Sequence, residues 1–340
     1  MADDLNPIIG SVSDGRYRVE ALLGEGAVGS VYRAIDVQTG ERVALKQWHA
    51  FALNYEVRGR FLREATALAT LDHPNIVQVV GHGFADGVPY VALEYLEGRT
   101  LEIMLHGGRP LAPDLALELA RQALSAIAYA HAHQVVHRDL KPENIFVARD
   151  ADGRPAVKIL DYGLAKFMAD ESVLGSAGMP LTAMGVMIGT PLYMPPEQAA
   201  GSSVDLAADV YAMGCVLFEM LTGRPPFIAG SNVELITAHL RAPIPSLADA
   251  LPDMRVAPEL QALIDRALAK RQTERFANAG AMLRALNQLP PAPIAPLPGE
   301  PPEPPPAESP GAQPARSSSA RIWVASALLA AAAIALAHAC

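Results

Sequence analysis

"HRDLKPEN", residues 137–144, crowds a histidine, an arginine, an aspartate, a lysine and an asparagine around one proline, between apolar runs on both sides. The flanking runs belong inside a core, so the polar cluster reads as one loop held between two buried elements. Asp139 and Asn144 are five residues apart on that loop, close enough to face a single site. A little downstream, "LDYG" puts Asp161 directly after the β-patterned "AVKIL".

These oxygen-bearing side chains suit a hard divalent cation. Mg²⁺ takes few protein ligands and keeps room for water and phosphate oxygens, which an Asn144 and Asp161 pair leaves open. Asp139 is then free to orient an attacking hydroxyl and accept its proton. Working upstream, "GEGAVGSV" carries Gly24, Gly26 and Gly29 at G-x-G-x-x-G-x-V spacing. The β-branched and aromatic "SVYRAID" follows it, so the glycines are expected to cap a hairpin, whose bare backbone can approach phosphates. Seventeen residues after Gly29, Lys46 ends "VALK" on the same strand face as Ala44. In "FLREATALATL", Glu64 borders an apolar helical stripe, and an ion pair between Glu64 and Lys46 is expected to aim the ammonium at triphosphate oxygens.

The bulk composition narrows the class. A chain of 340 residues with 51% hydrophobic and 19% charged residues is long enough for a two-lobed globular body with an appendage. Its net charge of -9 argues against nucleic acid as a partner, because phosphate backbones are held by clustered Lys and Arg. Two cysteines make no disulfide framework, and "MADDLNPIIG" lacks a secretory start, so a cytoplasmic body is expected. The nine histidines show no metal-ligand spacing; His131 and His133 read as surface or structural.

Residues 1–16 read as a tail. From Tyr17 to Glu94 the pattern is short strands with one helix near Arg60–Leu71, and from Leu101 to Leu289 it is mainly helical. This predicts an α+β chain of two lobes, 17–96 and 97–287. Twelve of the 29 prolines fall in residues 290–316, so 288–321 is expected to be a disordered linker. The last run, 322–340, spans about 28 Å as a helix, just enough to cross a bilayer with Arg316 and Arg321 on the cytoplasmic side.

The order of glycine loop, Lys46, Glu64, "HRDLKPEN" and "DYG" resembles the protein-kinase signature set, and the likeness to bacterial serine/threonine protein kinases of the eukaryotic (Hanks) type covers residues 17–287. "LDHPNIVQVV", "LEYLEGRTL", "GTPLYMPPEQ", "DVYAMGCVLFEMLTGRPPF" and "ERF" are similar to further landmarks of that family. The resemblance implies a bilobal fold that binds ATP with Mg²⁺, or Mn²⁺ in its place, and phosphorylates Ser/Thr hydroxyls of proteins. It implies phosphates under Gly24, Glu25, Gly26, Ala27, Val28 and Gly29, with Val31 and Ala44 over the adenine, Leu93 as gatekeeper, and Glu94 to Leu96 as the hinge. Lys141 would steady the transferred phosphoryl group. Asp209 would brace the loop at His137, and Glu197 would pair with Arg275. Arg138 implies an activation segment ordered by phosphate, with Thr182 the site of autophosphorylation and Thr190 a contact of Asp139; Ser172 and Ser176 lie in the same segment. A homodimer for autophosphorylation and a membrane anchor complete the implied partners.

Two positions depart from the pattern. Tyr162 stands where the family has phenylalanine, stacked between His137 and Leu68, and its hydroxyl needs a partner if buried; Pro195 stiffens the approach to Glu197. The main rival is a pseudokinase scaffold, which loss of Lys46, Asp139, Asn144 or Asp161 would favour, and all four are present. A small-molecule phosphotransferase normally lacks the segment ending in "GTPLYMPPEQ". A third reading, in which the proline tail is a ligand for SH3-like partners, competes with a plain tether.

Overall fold

A computed structural model describes residues 8–26, 29–49, 55–162 and 191–296. Six strands form the first lobe: β1 (Val12–Ser13), β2 (Tyr17–Glu25), β3 (Gly29–Asp36), β4 (Arg42–Trp48), β5 (Val79–Ala85) and β6 (Val88–Glu94). They lie antiparallel in the order β1-β2-β3-β4-β6-β5. Alternation sends Tyr17, Val19, Tyr32, Ala34, Val43 and Leu45 to one face, where they form a small core of their own. The opposite face receives α1 (Tyr55–Ala69), whose Phe61, Ala65 and Leu68 fall at helical spacing and pack on Trp48 and Val91. The lobe starts before residue 17: Ile8 and Ile9 pack on the small core, and Gln47 Nε2 donates to Ser13 Oγ at 2.8 Å.

The second lobe is helical: α2 (Leu101–Leu105), α3 (Pro113–Ala132), α4 (Pro196–Ala199), α5 (Leu206–Thr222), α6 (Asn232–Arg241), α7 (Leu247–Ala250), α8 (Pro258–Ala267) and α9 (Ala279–Asn287). Helix α5 is apolar around nearly its whole circumference and buried accordingly, so it forms the axis on which the others pack. Asp205 caps its start by accepting from Ala207 N at 2.8 Å. Gly223 ends it at φ 76°, where a side chain would collide with Gly108 O. A three-stranded sheet, β7 (Gly98–Thr100), β8 (Ile145–Arg149) and β9 (Pro155–Ile159), sits between the lobes. The 137–144 loop runs into β8 and β9 runs out to Asp161, so one small sheet carries both halves of the polar cluster.

The stretch expected to be linker from residue 288 begins inside the fold. Ile294–Pro296 forms β11, antiparallel to β10 (Met254–Val256), Ala257 N donates to Pro293 O at 2.7 Å, and Ile294 is buried. Proline interrupts sheets by removing a donor, and a two-stranded edge with Pro296 at its end tolerates that loss. Among the described residues no helix is long and apolar enough to cross a membrane. The 322–340 run lies outside them, as do Ala27, Val28, Thr182 and Thr190.

Candidate active site

The 137–144 loop is fastened from below. Asp209, 1% exposed near the start of α5, accepts from His137 N at 2.8 Å and Arg138 N at 2.9 Å, and its Oδ2 lies 2.9 Å from His131 Nε2. Burial would raise the Asp209 carboxyl, but the hydrogen bond from His131 and the neighbouring His137 hold it below the usual carboxylate range. His131 was read from sequence only as surface or structural; it is buried, and Ala279 N donates to its Nδ1 at 3.3 Å, so it links α3, α5 and α9. Arg138 takes φ 65°, a left-handed value that a non-glycine residue holds only when its surroundings impose it.

Above that brace the reactive groups meet. Asn144 Nδ2 donates to Asp139 O at 2.7 Å and lies 3.3 Å from Asp139 Oδ2, and Lys141 Nζ is 3.5 Å from the same carboxylate. Burial would lower the Lys141 ammonium, yet Asp139 and then Glu143 raise it, so it stays charged. Across the cleft, Lys46 Nζ pairs with Asp161 Oδ1 at 2.7 Å. Burial pushes the Asp161 carboxyl up, and Lys46 overrides this to hold it below the ordinary range. Asp161 also sits at φ 54°. Its neighbour Tyr162 lies 4.8 Å, centroid to centroid, from His137, and its hydroxyl is buried with no hydrogen-bond partner among the described residues.

One expected contact is absent. Lys46 is on Asp161, and Glu64 is exposed, so the Lys46–Glu64 ion pair is not made in this conformation. The cause lies in α1: its Phe61–Ala65–Leu68 stripe faces the sheet and turns position 64 toward solvent. The glycine stretch is the tip of the β2–β3 hairpin, with Gly26 N donating to Gly29 O at 2.7 Å. Gly29 is required sterically, since a Cβ there would stand 2.3 Å from Gln47 O. Val31 pairs in register with Lys46, and Ala44 with Leu93, which lines them up beneath the hairpin; Leu96 is buried. Glu94 Oε1 accepts from Gln78 N at 2.9 Å and from Lys158 Nζ at 2.6 Å. Sequence reading missed Lys158; its place three residues before Asp161 on the strand into the site was the available signal.

The far wall is set by buried charge. Arg275 donates to both Glu197 oxygens at 2.8 Å and to the carbonyls of Ala207, Ala269 and Lys270, and its guanidinium stacks on Tyr211 at 4.8 Å. Tyr193 donates to Glu219 Oε2 at 2.5 Å, a second tie between the 191–199 segment and α5.

Comparison with known proteins identifies this arrangement. The model of the protein kinase domain matches residues 17–286. Serine/threonine-protein kinase pkn3 of Myxococcus xanthus is 40% identical over 82% of this chain and 50% of its own length. A probable serine/threonine-protein kinase, SCO3848, of Streptomyces coelicolor is 39% identical over 79% of this chain and 39% of its own, and PknB of Mycolicibacterium smegmatis is 38% identical over 82% and 44%. The chain therefore spans half or less of these relatives. Among solved structures, the kinase domain of Mycobacterium tuberculosis PknI superposes with a TM-score of 0.63 at 27% identity, covering 82% of this chain and 97% of that one. Rad53 in complex with AMP-PNP gives a TM-score of 0.63 at 27% identity, covering 79% and 64%. The chain belongs to the protein kinase family, among relatives that are bacterial serine/threonine kinases.

Proposed function

We propose that this chain transfers the γ-phosphoryl group of ATP to serine or threonine hydroxyls of proteins. The observation that carries the reading is the meeting of Asp139, Lys141 and Asn144 on one braced loop, across one cleft from Lys46 and Asp161. Rad53, a fold neighbour, was solved with AMP-PNP, which is in keeping with a nucleotide in this cleft.

In this reading the β2–β3 hairpin covers the phosphates, and the adenine lies between Ala44 and the hinge at Glu94–Leu96. Asp139 orients the acceptor hydroxyl and takes its proton, and Lys141, beside it and fully charged, offsets negative charge on the group in transit. Asp161 and Asn144 offer carboxylate and amide oxygens, a donor set that fits a hard divalent cation such as Mg²⁺, which neutralises phosphate charge when bound. Productive ATP binding requires Lys46 to leave Asp161 for the phosphates, with Glu64 turning in to hold it.

Arg138 and Thr182 extend the reading to autophosphorylation: a phosphate on Thr182 supplies a charged partner for the Arg138 guanidinium, in one chain or between two copies. The apolar run 322–340, reached through the proline-rich stretch, supports a tether at the cytoplasmic membrane face. The test is transfer from radiolabelled ATP to a generic basic protein. Asp139→Asn lowers turnover by about 10²–10⁴-fold with an unchanged unfolding midpoint, and Lys46→Met abolishes the signal, while peptide mapping finds phosphate on Thr182. Equal transfer by all three proteins sinks the assignment in favour of a scaffold.

A further inference from the structure

We propose that Lys158 is a positioning residue for the nucleotide: through Glu94 it fixes how far the hinge stands from Asp161, and so favours ligands that reach both. This rests on ATP being the ligand of the cleft. Lys158 lies on β9, three residues before Asp161, and Glu94 closes β6 where the hinge begins. Val157 and Ile159 are buried in the core, so alternation along β9 turns Lys158 to the opposite face. There Lys158 Nζ donates to Glu94 Oε1 at 2.6 Å, across 64 positions of sequence.

One carboxylate oxygen gathers three pieces of chain. Glu94 Oε1 accepts from Lys158 Nζ and from Gln78 N at 2.9 Å, and Lys158 Nζ also donates to Ile76 O at 3.4 Å. Main-chain bonds complete the frame: Glu94 N donates to Gln78 O at 2.9 Å, Val77 N to Ile159 O at 3.0 Å and Ile159 N to Asn75 O at 2.8 Å. The 75–78 segment is thereby joined to the end of β6 on one side and to β9 on the other. Leu160 N donates to Asn144 O at 2.8 Å, so the strand that carries Lys158 also sets the place of Asn144 beside Asp161.

Residues 75–78 belong to no helix or strand and carry a single bridge, Ile76 to Ile159, so alone they make a compliant joint between hinge and β9. The Lys158–Glu94 pair spans that joint with a short, charge-assisted bond of defined direction. Its side chains are 20% and 29% exposed, so water screens the pair and its part in resisting unfolding is small. What it supplies is geometry. Glu94 keeps its bonds to Gln78 without Lys158, so the hinge itself is held either way. Only its distance to Asp161 is loosened. A ligand bound at both ends gains from a preset separation, and a ligand bound at the hinge alone does not.

Titrating the full chain with AMP-PNP and Mg²⁺, and separately with adenosine, tests this. Lys158→Met keeps an aliphatic stem and loses the charge. It is expected to weaken AMP-PNP by about three- to tenfold, the effect of one charge-assisted hydrogen bond, and to leave adenosine unchanged. Lys158→Arg, which still reaches a carboxylate, recovers most of the AMP-PNP affinity. Equal AMP-PNP affinity in the wild type and Lys158→Met overturns the proposal, whatever happens to the urea midpoint. So does an equal loss of adenosine, which puts the damage in the hinge alone, or a Lys158→Arg protein as weak as Lys158→Met. A wild-type chain that binds no AMP-PNP removes the ATP reading and this inference with it; in every other outcome the wild type binds, so the two failures are told apart.

Discussion

Arg275 shows how single residues hold this molecule. Its side chain is fully buried, it donates to both oxygens of Glu197 and to three backbone carbonyls, and it stacks on Tyr211. Such a pair adds little net stability over an apolar one, but removing one member strands the other charge out of water. Arg275→Met is therefore expected to cost about 3–5 kcal/mol, read as a lower urea midpoint at constant slope, and Glu197→Gln with Arg275→Met together less than the sum of the two singles. His239 makes a second residue-scale prediction. It is buried, with Nδ1 2.8 Å from the Tyr211 hydroxyl, and burial first, then the Lys270 charge, push its pKa down to about 4. An unfolded histidine protonates near 6.5, so this group's contribution is whole above about pH 6.5 and is lost between about pH 6.5 and 4, roughly 3 kcal/mol in all. His239→Gln flattens that part of the stability–pH curve; an unchanged curve shows that His239 is not its source.

At the scale of elements, α1 is the part whose position matters for function and whose sequence leaves it undecided. Phe61, Ala65 and Leu68 drive it onto the sheet, while Glu64 lies about 40° around the helix from Leu68, so a modest rotation carries it from solvent toward Lys46. Helix periodicity places Glu64 beside the apolar stripe in either orientation. Which orientation holds depends on where the Lys46 ammonium finds its counter-charge, and here it is Asp161. Glu64→Cys is expected to react quickly with a thiol reagent in the free protein and more slowly, about fivefold or more, with AMP-PNP and Mg²⁺ present, a factor that corresponds to about 1 kcal/mol of population shift. A labelling rate indifferent to nucleotide rules out an inward turn. The hairpin tip and the 137–144 loop were easier to read, because Gly29 and the polar cluster have uses that few other arrangements satisfy. His131 and Lys158 were harder: each lies in a regular element, and only its partners, Asp209 and Glu94, reveal its part.

Across the whole molecule, the chain beyond the kinase match folds back on it. Ile294 buries its side chain where β11 pairs with β10, a contact on the order of 1.5–3 kcal/mol. A chain ending at residue 288 is expected to unfold at lower urea than one ending at 321, while a chain ending at 321 keeps the full-length midpoint and loses co-sedimentation with membranes. Retained co-sedimentation without residues 322–340 rejects the tether, and equal midpoints at 288 and 321 reject a stabilising β11. Composition announced a proline-rich stretch there but not its first docked residues, since proline content reports missing donors and says nothing of which edge strand can do without them.

Order and spacing along the chain were enough to settle the two-lobed α+β architecture, the hairpin glycines and the loop that gathers Asp139, Lys141 and Asn144, because each depends on local periodicity or on residues a few positions apart. Left to the tertiary structure were the counter-charge of Lys46 and the burial of His131 under the loop. Those outcomes are fixed by contacts between residues tens of positions apart in sequence, where small differences in packing decide which of several compatible partners a charged or polar group meets.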